Sequence, residues 1–271
     1  MGSRFIIPAL TVLAALMAIP AARAADMPLP PPQPAPCCSA WYLRGDIGFS
    51  NQNVGSLGGQ NYAGFDSVAS IDKGFDAAPF YGLGIGYAFN NWLRFDVTGE
   101  YRGSANFHGM DIGNAGGVIF PDNYSGSKSA WTFLTNAYVD LGTWNCSTPF
   151  IGAGIGVSRN TISNFTDVSN CVGGCGNPGA NAYFDSASKW SFAWALYGGL
   201  AYQVSPNVAV EFAYRYIDLG DATTGNGRSF NNVLTFAPFE FNHLTSSDVR
   251  LGLRFNCCEV PPPPPLLHSR G

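Results

Sequence analysis

Charge is scarce in this chain: Asp, Glu, Lys and Arg make up only 12% of its 271 residues, well short of the roughly 25–35% that keeps a small domain's surface soluble in water. Past residue 24 there is no uninterrupted apolar run of helical-span length, so the body of the chain cannot cross a membrane as helices. Histidine is confined to positions 108, 243 and 268, which leaves little material for a histidine-based active site or a metal cluster. Basic residues number 14 against 18 acidic ones, a balance that argues against a nucleic-acid partner.

What the chain does have is glycine, 33 residues, and aromatic side chains at 14%. Low charge with many aromatics points to lipid as the solvent of the folded surface, and since helices are excluded, the membrane must be crossed by strands. The N-terminus fits an exported protein. Arg4 precedes an apolar stretch from Phe5 to Ile19, and Ala22-Arg23-Ala24 fits a signal-peptidase site. A signal peptide is therefore expected over 1–24, followed by a Pro-rich periplasmic spacer over 25–39. Without Arg4 and Arg23 the remaining chain carries 12 basic (14 minus 2) and 18 acidic residues.

From Trp41 onward, apolar and polar residues alternate with period two in stretches of about ten residues, as strands with one lipid-facing side do. Eight stretches are expected: Trp41–Ser50, Phe80–Phe89, Leu93–Arg102, Trp131–Leu141, one around Ile151, Ile155 and Val157, Trp190–Tyr202, one from Val208 to Tyr216, and one from Asp248 to Phe255. Leu93, Phe95, Val97 and Tyr101 alternating with Arg94, Asp96, Thr98, Glu100 and Arg102 fit no helical period. The joins alternate in length. Short ones occur at Asn90-Asn91, Gly142 to Thr148 and Ser205 to Asn207, and long polar ones near 51–79, 103–129, 159–188 and 219–243. The predicted fold is all-β: an eight-stranded antiparallel transmembrane β-barrel over 40–256 with short periplasmic turns and four long extracellular loops. A Pro-rich tail follows over 257–271. The competing fold is a soluble β-sandwich with aromatic core positions.

An eight-stranded barrel is just wide enough to be filled by its own side chains. The inward charges are Arg44, Arg94, Arg102, Arg215, Arg250 and Arg254 against Asp46, Asp96, Glu100, Asp140, Glu211 and Asp248. Buried charges persist when paired, so these twelve are expected to form a lumenal ion-pair network. The sharper alternative is a gate whose arginines exchange carboxylate partners and pass small ions. Cys171 and Cys175 are spaced to close a small ring in the third loop. Cys37 and Cys38 precede strand one and Cys257 and Cys258 follow strand eight, so a disulfide across the closing seam is expected, with Cys146 left over. Zinc is the rival for these cysteines, but their spacing matches no standard zinc pattern. No nucleophile, base and oxyanion donor set can be assembled, since His243-Leu244-Thr245 is the nearest approach. Neither an enzyme nor a cofactor is therefore expected.

Three segments carry a family likeness: Ala24-Ala25-Asp26-Met27-Pro28 with its Pro-rich sequel, Trp41 to Gly48, and Tyr81-Gly82-Leu83-Gly84-Ile85-Gly86-Tyr87. With them the chain resembles the small outer-membrane proteins with an OmpA-type barrel, in particular the immunogenic and hemin-binding surface proteins of alphaproteobacteria. The resemblance implies that Val249, Leu251, Leu253 and Phe255 form the insertion signal read by the barrel-assembly machinery. It further implies outer-membrane lipid and lipopolysaccharide as surroundings, and a monomer. The tail after Phe255 departs from that family. Hemin binding would need a loop ligand such as His108. Two functions follow as expectations: a structural barrel that supports the envelope and displays its loops, or a narrow porin-like channel; behind them stand a lipid A-modifying barrel enzyme and a hemin binder. The long loops carry more acidic than basic residues, which suits cationic or divalent-bridged partners.

Overall fold

A computed structural model of the chain describes residues 38–170, 172 and 181–258, with the side chains of Cys38, Ser39 and Cys258 excepted. The expected signal peptide, Cys37, Cys171, Cys175, His268 and the tail beyond Cys258 lie outside the described residues. Among the described residues thirteen strands form one sheet: β1 Cys38–Gly58, β2 Ser67–Phe75, β3 Ala78–Ala88, β4 Leu93–Ala115, β5 Val118–Asp140, β6 Ser147–Ser169, β7 Ala182–Phe184, β8 Ala187–Ser205, β9 Val208–Asp218, β10 Ala222–Thr223, β11 Gly227–Ser229, β12 Thr235–Phe236 and β13 Glu240–Cys258. Eight of them close a ring in the order β1–β3–β4–β5–β6–β8–β9–β13 and back to β1, every pair antiparallel. Closure leaves no unpaired edge in the wall, which is the condition for standing in lipid.

The period-two alternation sorts side chains to the two faces. Leu43, Ile47 and Phe49 on β1, Leu83 and Ile85 on β3, and Leu251 and Leu253 on β13 point outward and are exposed, while Arg44, Asp46, Arg250 and Asp248 point inward and are buried. This is the inverse of a soluble sandwich, whose aromatics would be covered. The outward apolar band is edged by Trp41, Tyr87, Trp92 and Trp144 on the side of the short turns and by Tyr81, Tyr101, Trp131 and Trp190 on the other, as aromatic girdles are.

The described parts of the four long connections hold more strand than their composition suggests. On the far side of the band β4 runs on to Ala115 and β5 begins at Val118, a hairpin arm extending about 40 Å past Arg102 at roughly 3.3 Å per residue. β2 pairs with the outer half of β4, β7 with the outer half of β6, and β11 and β12 continue the sheet from β7. Three irregularities hid these extensions from a strict alternation rule. The register shifts between Arg102 and Ala105, Asn164 has φ 53° beside the Ser125/Ser127 shift, and His243 has φ 56°. At each place the inward positions change parity: from Arg102 to Ala105 and Phe107, from Ile162 to Phe165, and from Leu244 to Phe241. A bulge has this effect because one extra residue turns the rest of the strand over.

Candidate functional site

The lumen is built from charges that face glycines. Arg44 stands opposite Gly84, Asp46 opposite both Gly82 and Gly252, and Tyr42 opposite Gly86. A Cβ at Gly86 would lie 2.1 Å from the Tyr42 ring and one at Gly252 2.5 Å from Asp46 Oδ1. The glycines leave the room that the long inward side chains occupy.

All twelve predicted lumenal residues point inward, and eleven of them gather into two layers. Toward the short turns, Arg44 donates through Nε to Asp46 Oδ2 at 2.9 Å, through one terminal nitrogen to Asp96 Oδ2 at 2.7 Å and through the other to Glu211 Oε2 at 3.1 Å. Arg94 meets Asp140 at 3.1 Å and Glu211 at 3.0 Å, and Arg254 meets Glu211 at 3.0 Å. The two contacts to Glu211 Oε1 are close but poorly aligned for hydrogen bonding. In the second layer, Asp248 accepts from Arg102 at 2.6 Å and from Arg215 at 2.8 Å, and Arg215 also donates to Glu100 Oε2 at 2.8 Å. Arg250 lies between the layers, 3.6 Å from Asp46 Oδ1 and over the Tyr197 ring at 5.0 Å. Asp140 and Arg254, nearest the short-turn end, keep some exposure; the other ten are buried.

Two further elements of the interior were not expected from the sequence. Lys128 is fully buried and donates to Gln52 Oε1 at 2.6 Å. It adds a seventh basic side chain to the six arginines, and a fourth strand that starts at Trp131 places it in a loop. Above it lies a cap of aromatic rings. Phe75 and Phe107 are 5.1 Å apart between centroids, Phe107 and Phe241 5.1 Å, Phe165 and Phe239 5.1 Å, Phe184 and Phe239 5.1 Å, and Tyr124 and Phe239 5.4 Å. These rings come from β2, β4, β5, β6, β7, β13 and the segment before β13, and all are buried. The inward parity of Phe107, Phe165, Phe239 and Phe241 is set by the bulges, so only a reading that flips phase at Gly103, Asn164 and His243 finds these four, while Tyr124 keeps the phase of Lys128 on β5.

The remaining predicted residues are dispersed. The backbone of Cys38 is in register with Cys258 across the β1–β13 seam, while Cys257 and Cys146 are free and exposed. Val249, Leu251, Leu253 and Phe255 form one outward row on β13. His108 is exposed on β4 opposite Ser125, and His243 is exposed on β13.

Comparison with known proteins bears on this architecture. Residues 11–241 match the family model described as an outer membrane protein beta-barrel domain. A Brucella abortus (strain 2308) protein, itself named only as uncharacterised, is 31% identical over 232 residues, 77% of this chain and 80% of its own length. The Salmonella typhimurium outer membrane protein PagN is 31% identical over 148 residues, 51% of this chain and 56% of PagN. A Rickettsia prowazekii protein whose name proposes an adhesin is 24% identical over 199 residues, 69% of this chain and 75% of its length. Of solved structures, Neisserial surface protein A aligns with a TM-score of 0.43 at 17% identity, over 80% of this chain and 97% of that one. OprG from Pseudomonas aeruginosa also aligns with a TM-score of 0.43, at 13% identity over 80% and 94%.

Proposed function

Because the chain belongs to the outer membrane protein β-barrel family and resides in the outer membrane, we propose that it is a sealed surface barrel whose strand-built extracellular platform contacts partners outside the cell. The observation that carries this reading is the aromatic cap. A pore must keep a continuous polar path, whereas here phenylalanines from around the ring meet across the mouth, above a lumen already crossed by two ion-pair layers. The hairpin arm of β4 and β5 adds a raised, rigid surface with no evident use in transport. The names of relatives, an outer membrane protein in Salmonella and a proposed adhesin in Rickettsia, agree with surface display. The reading includes no catalysis or cofactor, a monomer in the bilayer, and insertion through the outward row on β13.

The porin-like alternative predicts conductance, and planar-bilayer recording decides between them. The refolded barrel is expected to give no openings above background. Stable openings that disappear in Glu100→Ala or Arg250→Ala would overturn the sealed-barrel reading. For the surface role, bacteria displaying the barrel are expected to adhere to cultured epithelial layers more than bacteria displaying a version in which residues 227–236 are replaced by a Gly-Ser linker. Equal adherence would remove the β11–β12 hairpin from the contact surface.

A further inference from the structure

Beyond the lipid band, three carboxylates face one another inside the platform. Asp111 on β4 stands directly opposite Asp122 on β5, and Tyr124, two residues along β5, stands opposite Asp167 on β6. Asp111 is 2% exposed, Asp122 7%, and Asp167 is partly buried. Like charges placed directly opposite on paired strands repel, and burial removes the water that would screen them. The acidic partners in the ion pairs of the described residues are other ones: Asp46, Asp96, Glu100, Asp140, Glu211 and Asp248 in the lumen, and Asp185 and Asp221 elsewhere on the platform.

The polar groups around the trio are hydroxyls. Tyr62, in the short 3-10 turn Gln60–Tyr62, donates to Asp111 Oδ2 at 2.8 Å, tying the first loop to the platform. Ser169 hydrogen-bonds to Asp122. Asp111 Oδ1 and Asp167 Oδ1 are buried with no hydrogen-bond partner. On the neighbouring strands, Ser70 of β2 is opposite Asp111 and Ala182 of β7 is opposite Asp167. The nearby charged groups of the first loop and β2 look elsewhere: Lys73 donates to the Gly55 carbonyl and Asp66 accepts from the Gly116 amide, while Asp72 is exposed. Burial, then Asp122 and Asp111, pushes Asp167 up to about 8, and burial also raises Asp122. Tyr62 and Tyr124 are raised as well, first by burial, so both stay neutral.

We propose that a proton held on Asp167 or Asp122, beside the buried carboxylate of Asp111, latches the extracellular cap shut, and that the cap and the first loop loosen as that proton leaves. A proton on one carboxyl group turns an acceptor into a donor for a neighbouring oxygen, replacing repulsion across β4–β5–β6 with a hydrogen bond. The sign follows from linkage. The folded state holds its proton to higher pH than the unfolded chain, whose aspartates titrate near roughly 4. The latch's contribution is therefore full in acid and declines as pH rises from there through about 8.

Hydrogen–deuterium exchange of the full barrel in lipid nanodiscs at pH 5.5 and 8.5, corrected for intrinsic exchange, tests this. Residues 59–75, 118–124 and 165–169 are expected to exchange about a hundredfold slower at the lower pH, the roughly two pKa units of linkage between pH 5.5 and a folded value of about 8, with β3 unchanged. Asp122→Asn and Asp167→Asn are expected to keep the protection at both pH values. Equal protection of the unaltered protein at the two pH values, an undiminished pH response in both variants, or protection that follows added calcium and not pH would each overturn the latch. If a variant fails to insert, carboxyl NMR titration of the unaltered protein decides: an aspartate titrating above pH 6 supports the latch, and all titrating near 4 overturns it.

Discussion

At the scale of single residues, the lumen is a fit between long charged side chains and the glycines facing them. A Cβ at Gly156 would lie 1.9 Å from the Phe133 carbonyl oxygen, a backbone atom that cannot swing away, whereas Gly198 has nothing within 4 Å. Gly156→Ala is therefore expected to lower stability by about 1–3 kcal/mol as an overpacking change, and Gly198→Ala to stay within about 0.5 kcal/mol; urea unfolding in phospholipid vesicles reads both. Asp248 serves two arginines whose side chains are wholly buried. Asp248→Asn leaves both short of a countercharge and should cost about 3–5 kcal/mol in the same measurement. Asp185→Asn, beside a more than half-exposed Arg228, should cost no more than about 1 kcal/mol. The twelve lumenal charges were legible because alternation alone fixes which face a residue takes. Their partners were not, since Arg44 reaches Asp96 and Glu211 across the barrel and no local spacing encodes that.

Individual strands divide at the edge of the lipid band. Inside it the alternation is unbroken and the sequence reads directly. Outside it the bulges near Gly103, Asn164 and His243 turn the strands over, and an in-phase reading dissolves into apparent loop. This is why Phe107, Phe165 and Phe241 were not anticipated as one cluster although each is plain in the sequence. The closing strands offer a test of register. Cys38 lies opposite Cys258, and antiparallel partners are about 4.5–5.5 Å apart at Cα, within the range a disulfide spans. In the oxidising periplasm the two strands are expected to be cross-linked. Non-reduced proteolytic mapping should recover a peptide joining them, absent in Cys258→Ser; recovery of two separate, alkylated cysteines would count against the seam.

For the molecule as a whole, closure of the ring predicts cooperative resistance to detergent. Unheated protein from outer-membrane extracts should migrate differently from boiled protein on a detergent gel, and an absent shift would mean that the ring does not hold in detergent. Compartment, membrane, the ring of eight strands and the face taken by positions inside the lipid band follow from the sequence alone, because they rest on local quantities: an N-terminal apolar stretch, a scarcity of charge, and a period of two read over ten residues. The tertiary structure alone decides which arginine meets which carboxylate, that Lys128 and Gln52 lie inside, that rings from distant strands close the mouth, and that Asp111, Asp122 and Asp167 share one site. Those outcomes depend on register between strands far apart in the chain, and a single inserted residue at a bulge reverses every face beyond it.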